Sequence, residues 1–507
     1  MKSLLLLLSF IPLFLFSQSE VFYTDINLNN IPSRHNYFPN GDRISVFGST
    51  TAGSDLISIL KKDATNGLIT QTDVILEEFI GSTIYGIVTY NDNSYLIALQ
   101  HQGSNVSQIL LKFSANNTLQ WKERIFIPNF TQPYYYNEIL DNGQGGAFLM
   151  VSESEYAGII NINSNGQIQW AQSIVGQNSN GKSPGFSICK NASGGVNGTL
   201  KDESYQCVFS LDNNGNEIWS KSHVDMQYRW PKRILQTNDG GFLVAGTFYD
   251  YMNNQQNPYI TKYTSNGTVQ YAKKLNLFTN ELWDVQQTLT SEIFILAGSS
   301  DNVENIIMIK LDEFANVLDS RIQNNIKESI HTRFINQVNS LGFDAYVNDN
   351  VSNPLAFIDF DGDLNSLCTS FTLPDVTSTN DDDFLNAIVN TGININTLYP
   401  QLLNDFTLSY PTPYIINTED YCSYLANPEI ASEDVISVYP NPTEDFVTLN
   451  MTAANATIEV VDAQGKILQT STVDNGGTLS LASYETGMYI LRVTTENGTS
   501  IERISKN

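Results

Sequence analysis

The sequence predicts an all-β protein: a seven-bladed β-propeller followed by a small immunoglobulin-like β-sandwich. Three observations carry this expectation. A turn of Asn-Gly type recurs in seven copies at intervals of 47 to 52 residues, with aligned final residues Gln71, Trp121, Trp170, Trp219, Tyr271, Asp319 and Ser366. Strand-length apolar runs stand between the turns, four to a copy. After residue 428 the period is gone and a shorter alternating pattern takes over. One four-stranded unit cannot bury both of its faces alone, so a regular array of them must stack or close. A linear solenoid is the weaker fit, because its rungs are shorter than these copies, and the propeller is preferred.

The chain opens with Met1-Lys2, an apolar run from Leu4 to Phe16 broken only by Ser9 and Pro12, and then Ser17-Gln18. A positive start, a short apolar core and a small-residue end describe a signal peptide over 1–18. The run falls short of the roughly 20 residues that a membrane span needs. No later stretch is long and apolar enough, so the mature chain is expected to be exported with no transmembrane segment.

Residues 19–368 are assigned to the propeller. Glu20 to Leu28 (EVFYTDINL) is an extra strand ahead of the first copy, placed to pair into the last blade and shut the ring. The clearest blade runs from Trp230 to Asn276, with WPKRILQT, DGGFLVAGTF, PYITKYTSNG and TVQYAKKLN as its strands. A two-residue hairpin loop wants positive φ, which Asn-Gly supplies at little steric cost. Asn117 stands in for glycine in the second copy, and Ala315 predicts a looser turn in the sixth. The second strands, such as those in GGAFLMV and GGFLVAG, are nearly continuous in apolar character, as befits strands covered on both faces.

The strand–turn–strand ending in Trp, as in SLDNNGNEIWSKS at 210–222, resembles the propeller repeats of PQQ-like and related bacterial exported proteins. The resemblance implies fold only. The aligned Trp persists in three copies of seven and no cofactor ligands match, so quinone binding does not carry over.

Residues 369–428 break the period and read as an irregular, strand-containing segment and linker. They hold Asp381-Asp382-Asp383, taken as solvated loop, a Tyr410-Pro411-Thr412-Pro413 turn, and PYIINTEDYC, which is expected to lie as a strand along the propeller. From 429 to 507 the alternation of Val447, Leu449 and Met451, and of Tyr489, Leu491 and Val493, describes a small sandwich with these side chains inward. This stretch resembles the type A C-terminal sorting domain of the type IX secretion system. The residues that carry the likeness are Tyr439-Pro440-Asn441-Pro442, the turn from Asp462 to Lys466, Gly487-Met488-Tyr489, and the basic end at Arg503 and Lys506. The resemblance implies Sec export and then passage across the outer membrane, with the secretion machinery as partner. Removal of the domain often follows in that family, leaving the cargo on surface lipopolysaccharide or released. The expected location is the outer-membrane cell surface or the extracellular space.

A net charge of −27 spread along the chain excludes nucleic acid as a partner, since binding it relies on Lys and Arg displacing counterions. Of four cysteines, Cys368 and Cys422 bracket the irregular segment and are the expected disulfide. Closing that loop could contribute about 4 kcal/mol. Cys189 and Cys207 fall on the first and third strands of one blade, about 9.6 Å apart by strand spacing, and their pairing stays open. His35, His101, His223 and His331 are scattered, and are expected to be isolated surface or loop residues. Zinc would need several converging ligands, and HExxH, paired-Cys and GxSxG motifs are all missing. The Gly-Gly pairs open strands and never precede a helix, so they do not cradle phosphate. No cofactor is predicted. Calcium is left open at Asp359-Phe360-Asp361-Gly362-Asp363, although its order departs from a calcium loop and the downstream Glu is absent.

In an up-and-down blade the tight hairpins emerge at one face, and the longer, variable connections emerge at the other. Three of those connections carry aromatics: Pro133 to Tyr136 with Tyr134 and Tyr135, Tyr228-Arg229-Trp230, and Phe248 to Pro258 with Tyr249, Tyr251, Asn253 and Asn254. Loops on a rigid scaffold are where binding usually resides, and rings with amide neighbours suit a sugar or a peptide. The same rings could instead pack blade edges. The expected function is a binding or adhesion module for a glycan or protein. The rival is an extracellular polysaccharide hydrolase or lyase, which would need an acidic pair, or His with Tyr, converging in the central funnel. A third reading is a structural surface layer that has no ligand.

Overall fold

A computed structural model describes residues 20–506 apart from 25–30, 52–53, 64–67, 78, 102–106, 129–136, 153–156, 178–184, 203–204, 225–228, 251–254, 278–279, 300–304, 325, 328–333, 337–340, 348–354, 361–369, 373–375, 381–387, 390–392, 404–405, 412–415, 421–436, 452, 462–466 and 496–497. It divides into two units, residues 1–347 with 355–418, and residues 348–354 with 419–507.

Among the described residues the first unit is built from seven antiparallel sheets of five or six strands. Their inner strands are Ile31–Tyr37, Thr83–Thr89, Glu138–Asp141, Gly185–Lys190, Arg229–Gln236, Asn280–Gln287 and Phe334–Asn336. Each inner strand touches the next along the chain, and Phe334–Asn336 touches Ile31–Tyr37, so the series of contacts returns to its start. The second and third strands are mainly apolar and mainly buried: in the second sheet Ser107–Phe113 has every residue buried. The hydrophobic clusters explain why. One joins Ile44 and Val46 of the first sheet to Ile84 and Ile97 of the second, and another joins Phe148 and Ile159 of the third to Ile188 and Phe209 of the fourth. The core thus sits between sheets, and a single sheet would have nothing to bury against.

The described tight turns of the first six sheets are of one kind. Asn163 N–H donates to Gln167 O at 2.9 Å and Gly166 N–H to Asn163 O at 3.1 Å, with Gly166 at φ 81°. This is a three-residue loop with one left-handed residue and a bulge after it, and differs from the two-residue loop expected from Asn-Gly. The asparagine caps instead: Asn163 Oδ1 accepts from Asn165 N and Gln167 N at 2.9 and 3.0 Å. Ala315 makes the same turn at φ 59°, with Ala315 N–H on Asp312 O at 3.0 Å, so the looser turn expected in the sixth copy is not found. The capping bonds from Phe314 and Asn316 to Asp312 Oδ1 offset the left-handed strain of about 1–2 kcal/mol.

The aligned aromatics have a packing role. Trp121 Nε1 donates to Ser164 O, Trp170 Nε1 to Asn213 O and Trp219 Nε1 to Ser265 O, at 2.7, 2.7 and 3.2 Å. Each acceptor lies in the turn of the following sheet. A Cβ on Gly215 would stand 2.8 Å from the Trp170 ring, and one on Gly267 would stand 2.8 Å from Trp219. Glycine in one copy is therefore required by the indole of the copy before it.

The N-terminal strand, Glu20–Thr24, pairs into the seventh sheet as expected, where it takes the fourth place, paired Glu20↔Phe357 and Val21↔Ala356. The seventh turn, from Asp361 to Ser366, lies outside the described residues. The segment expected to be irregular but strand-containing supplies an outer strand to every sheet in reverse chain order, its last strand falling within PYIINTEDYC as expected. Ser370–Thr372 joins the sixth, Thr377–Asn380 the fifth, Ile388–Val389 the fourth, Ile393–Thr397 the third, Gln401–Leu403 the second, Leu408–Ser409 the first and Ile416–Asp420 the seventh. Phe406 is buried within this strap, its ring 5.4 Å from that of Phe79. The strap covers edges that would otherwise present unpaired backbone groups.

The second unit has a three-stranded sheet (Ser437–Tyr439, Phe446–Asn450, Thr478–Ser480) and a four-stranded one (Asn455–Val461, Ile467–Asp474, Gly487–Thr495, Gly498–Lys506). Val447, Leu449, Met451, Tyr489, Leu491 and Val493 all enter one core with Ile458 and Val460, as their alternation predicts.

Candidate functional site

Of the expected ligand-binding residues, Tyr134, Tyr135, Tyr251, Asn253 and Asn254 lie outside the described residues. Trp230 and Tyr249 are described, both half-buried in the fifth sheet. Trp230 is the second residue of the inner strand and pairs with Thr247, and Tyr249 is the last but one of the second strand, Phe242–Asp250, paired with Gln256. Both therefore stand at the end of the sheet opposite its tight turns. The Trp230 ring carries Lys201 Nζ of the fourth sheet at 4.2 Å from its centre, so part of its surface is used between sheets.

The inner edge holds a constellation absent from the sequence reading. Six of the seven inner strands position one residue by register opposite the second strand: Arg34↔Val46, Gly86↔Ala98, Glu138↔Met150, Ser187↔Thr199, Arg233↔Ala245 and Asp284↔Leu296. In all but the third sheet a bulge falls just before that residue and re-aims it. Four of the six meet. Arg233 Nη1 donates to Glu138 Oε1, and Arg233 Nε donates to Asp284 Oδ1 at 2.6 Å. Glu138 Oε2 accepts from Ser187 Oγ at 2.7 Å and from Ile188 N–H at 2.8 Å. A guanidinium on the fifth sheet thus reaches a carboxylate on the third and another on the sixth, spanning four sheets.

Both carboxylates are almost wholly buried, with side chains 3% and 1% exposed for Glu138 and Asp284. Burial pulls the Arg233 guanidinium down, but the neighbouring Asp284 and Glu138 outweigh it and hold it above its ordinary value. Removing one member would leave an uncompensated buried charge. The oxygens of Glu138 are filled by donors of the protein itself, so this carboxylate offers a substrate no open acceptor. What the arrangement does chemically is clamp inner strands together. The signal that would have found it is positional: each of the six residues stands seven places before its copy's left-handed turn residue, Gly41, Asn93, Gly145, Gly194, Gly240 or Ser291. The side chains are not of one type, which hid the pattern.

The histidines correct another expectation. His35 and His223 are buried strand residues rather than surface ones, and His101 is half-buried against Phe79 at 4.7 Å. His35 Nδ1 meets Ser45 Oγ at 2.7 Å, and burial, then Arg43, Lys62 and Arg34, drive its pKa well down. Burial, then Arg229 and Lys221, lowers His223 to about 4. His331 lies outside the described residues. Cys189 and Cys207 are buried thiols and form no disulfide, while Cys368 and Cys422 fall outside the described residues. Of the calcium candidate, only Asp359 and Phe360 are described, in the strand Leu355–Phe360, and no group of three metal-ligating side chains occurs among the described residues.

In the second unit the segment around the expected sorting residues Asn441 and Pro442 clasps the C-terminal strand. Asn441 Oδ1 accepts from Ser505 N–H at 3.0 Å, Thr443 N–H donates to Ser505 O at 2.9 Å, and Lys506 Nζ donates to Glu444 O at 2.6 Å. Tyr439, Pro440 and Pro442 are exposed beside this clasp. Gly487 pairs with Lys506, and Tyr489 Oη donates to Glu485 O at 2.8 Å.

Residues 437–507 match the model of the secretion system C-terminal sorting domain, that of type IX secretion, and the protein is an exported one. No curated protein matches the chain. Solved structures similar to it include a protein of unknown function from Bacteroides caccae, at 9% identity and TM-score 0.34, covering 59% of this chain and 97% of that one. The polysaccharide lyase Uly1 aligns at 7% identity and TM-score 0.44, covering 66% and 91%. A protein from Lactobacillus plantarum aligns at 10% identity and TM-score 0.37, covering 72% and 100%. No helix among the described residues is long and apolar enough to cross a membrane.

Proposed function

We propose that the chain is a seven-bladed β-propeller delivered outside the cell by an immunoglobulin-like sorting domain, and that it binds a glycan or a protein there. The sorting match supports the route. The observation that carries the binding reading is the asymmetry of the sheets. One end of the first six sheets holds the same short capped turns where they are described, and Trp230 and Tyr249 stand half-buried at the other end of the fifth. Variable connections on a rigid scaffold are where recognition usually resides. The inner strands of four sheets are tied by the Glu138–Arg233–Asp284 bridge and the outer edges are covered by the strap, which makes the sheets the rigid scaffold that such a face needs.

The test is a glycan and surface-protein array probed with the mature protein and with its Trp230→Ala/Tyr249→Ala/Tyr251→Ala variant. Loss of the hits with unchanged thermal unfolding is expected. Identical hits for both proteins would remove this face from the account. The rival reading, a polysaccharide hydrolase or lyase, predicts breakdown of a polysaccharide panel by the same mature protein.

A further inference from the structure

The repeats serve as controls for one another at a second place, at the end of the sheets that carries the tight turns. The third strands of the first six sheets present a polar residue there at one register position: Lys61, Lys112, Asn161, Ser210, Lys262 and Lys310. In five copies its polar group meets a partner at close range. Lys61 Nζ donates to Ala115 O at 2.7 Å, Asn161 Oδ1 accepts from Asn142 Nδ2 at 2.9 Å, and Ser210 Oγ accepts from Asn191 Nδ2 at 3.0 Å. Lys262 Nζ donates to Thr237 Oγ1 and Asp239 Oδ1, both at 2.7 Å, and Lys310 pairs with Glu292 at 2.8 Å.

Lys112 is different. The residue is only 4% exposed, its ammonium lies 3.0 Å from the centre of the Tyr90 ring, and its one hydrogen bond is a long 3.5 Å contact to Gly145 O. It lines a pocket of about 570 Å³ between the second and third sheets, with Tyr90, Asp92, Gln120, Trp121 and Asp141. An ammonium with most of its donor capacity unspent in a nearly buried site is costly unless something accepts from it. Burial pulls it down to about 8, against the pull of Asp92 and Asp141.

The charges around it narrow the class of ligand. Lys112 repels a metal ion, and Asp92 and Asp141 repel an anion. Asp141 is balanced by Lys190 at 3.0 Å, so the pocket carries both signs and little net charge. An apolar ligand would cover the ammonium without accepting from it. A neutral polyhydroxylated ring supplies acceptors for the ammonium and donors for the carboxylates, and its C–H faces suit Trp121. We propose that this pocket binds a neutral carbohydrate, with Lys112 donating to its hydroxyls and Asp92 and Asp141 accepting from them. The site is separate from the face of long connections and does not depend on that reading.

The experiment is calorimetric titration of the full mature chain with neutral oligosaccharides of glucose, mannose, galactose and N-acetylglucosamine. At least one is expected to bind, Lys112→Met to weaken it tenfold or more, and Lys310→Met, at the equivalent position of the sixth sheet, to leave it unchanged. The Trp230/Tyr249/Tyr251 variant should also leave it unchanged, so the two binding faces fail separately. A second readout guards against misfolding of the Lys112 variant: in the wild type, the bound oligosaccharide should slow acetylation of Lys112 by acetic anhydride, followed by peptide mass. No binding by any neutral sugar, binding confined to uronic-acid oligosaccharides, equal effects of Lys112→Met and Lys310→Met, or unprotected Lys112 would each overturn the proposal.

Discussion

At the scale of single residues, the latch between Trp170 and Gly215 separates two effects that a repeat normally mixes. Gly240 and Gly215 both have positive φ, at 81° and 82°, but a Cβ on Gly240 would meet nothing within 4 Å. Gly240→Ala should therefore cost only the left-handed penalty, about 1–2 kcal/mol. Gly215→Ala should cost clearly more, because the new methyl strikes the indole, and the excess should vanish in a Trp170→Ala background. Denaturant unfolding of the four variants measures this coupling, and equal costs in both backgrounds would show that the ring does not set the glycine. His223 gives a pH signature. Its pKa is held at about 4 in the folded chain, against 6.5 ordinarily. The stability it contributes is whole above pH 6.5 and is lost as pH falls toward 4, because the unfolded chain takes up the proton first. The loss is roughly 3 kcal/mol at most. Replacing His223 with Gln should flatten the stability curve between those limits, and parallel curves would contradict the assignment.

At the scale of elements, the strap contributes buried side chains as well as strand pairing. Phe406 packs on Phe79, and Lys122 Nζ stands 4.2 Å over its ring, while Tyr399 in the same strap is 76% exposed. Phe406→Ala should cost about 3 kcal/mol and Tyr399→Ala no more than about 0.5 kcal/mol, read by urea midpoint. Comparable small effects would mean that the strap lies on the sheets without packing into them. The four-stranded copies were legible because their apolar runs are long and their turns repeat. Of the strap only the last strand, within PYIINTEDYC, was legible, because the others are short and lie at sheet edges: in Thr377–Asn380 only Ser378 is even half-buried, so no periodicity marks it. The clamp of Glu138, Arg233 and Asp284 was hidden for a different reason. Equivalent positions hold Arg, Gly, Glu, Ser, Arg and Asp, and only the fold shows that unlike residues answer one another across sheets. The lysine pocket escaped in the same way, since Lys61, Lys112, Lys262 and Lys310 look alike until their partners are compared.

At the scale of the whole molecule, the account rests on the first unit closing upon itself. The reverse order of the strap supports closure, since it passes from the first sheet at Leu408–Ser409 straight to the seventh at Ile416–Asp420. The N-terminal strand gives the same result from the other end of the chain, pairing with Leu355–Phe360. An open row of sheets would keep the first and seventh far apart. The most direct measurement is oxidative cross-linking of a Val21→Cys/Ala356→Cys variant, residues paired across that closing seam. Closure predicts an intramolecular disulfide between residues 21 and 356, found by peptide mapping, in a monomer with raised thermal stability. Cross-links formed only between molecules, or none at all, would show that the sheets do not form a ring.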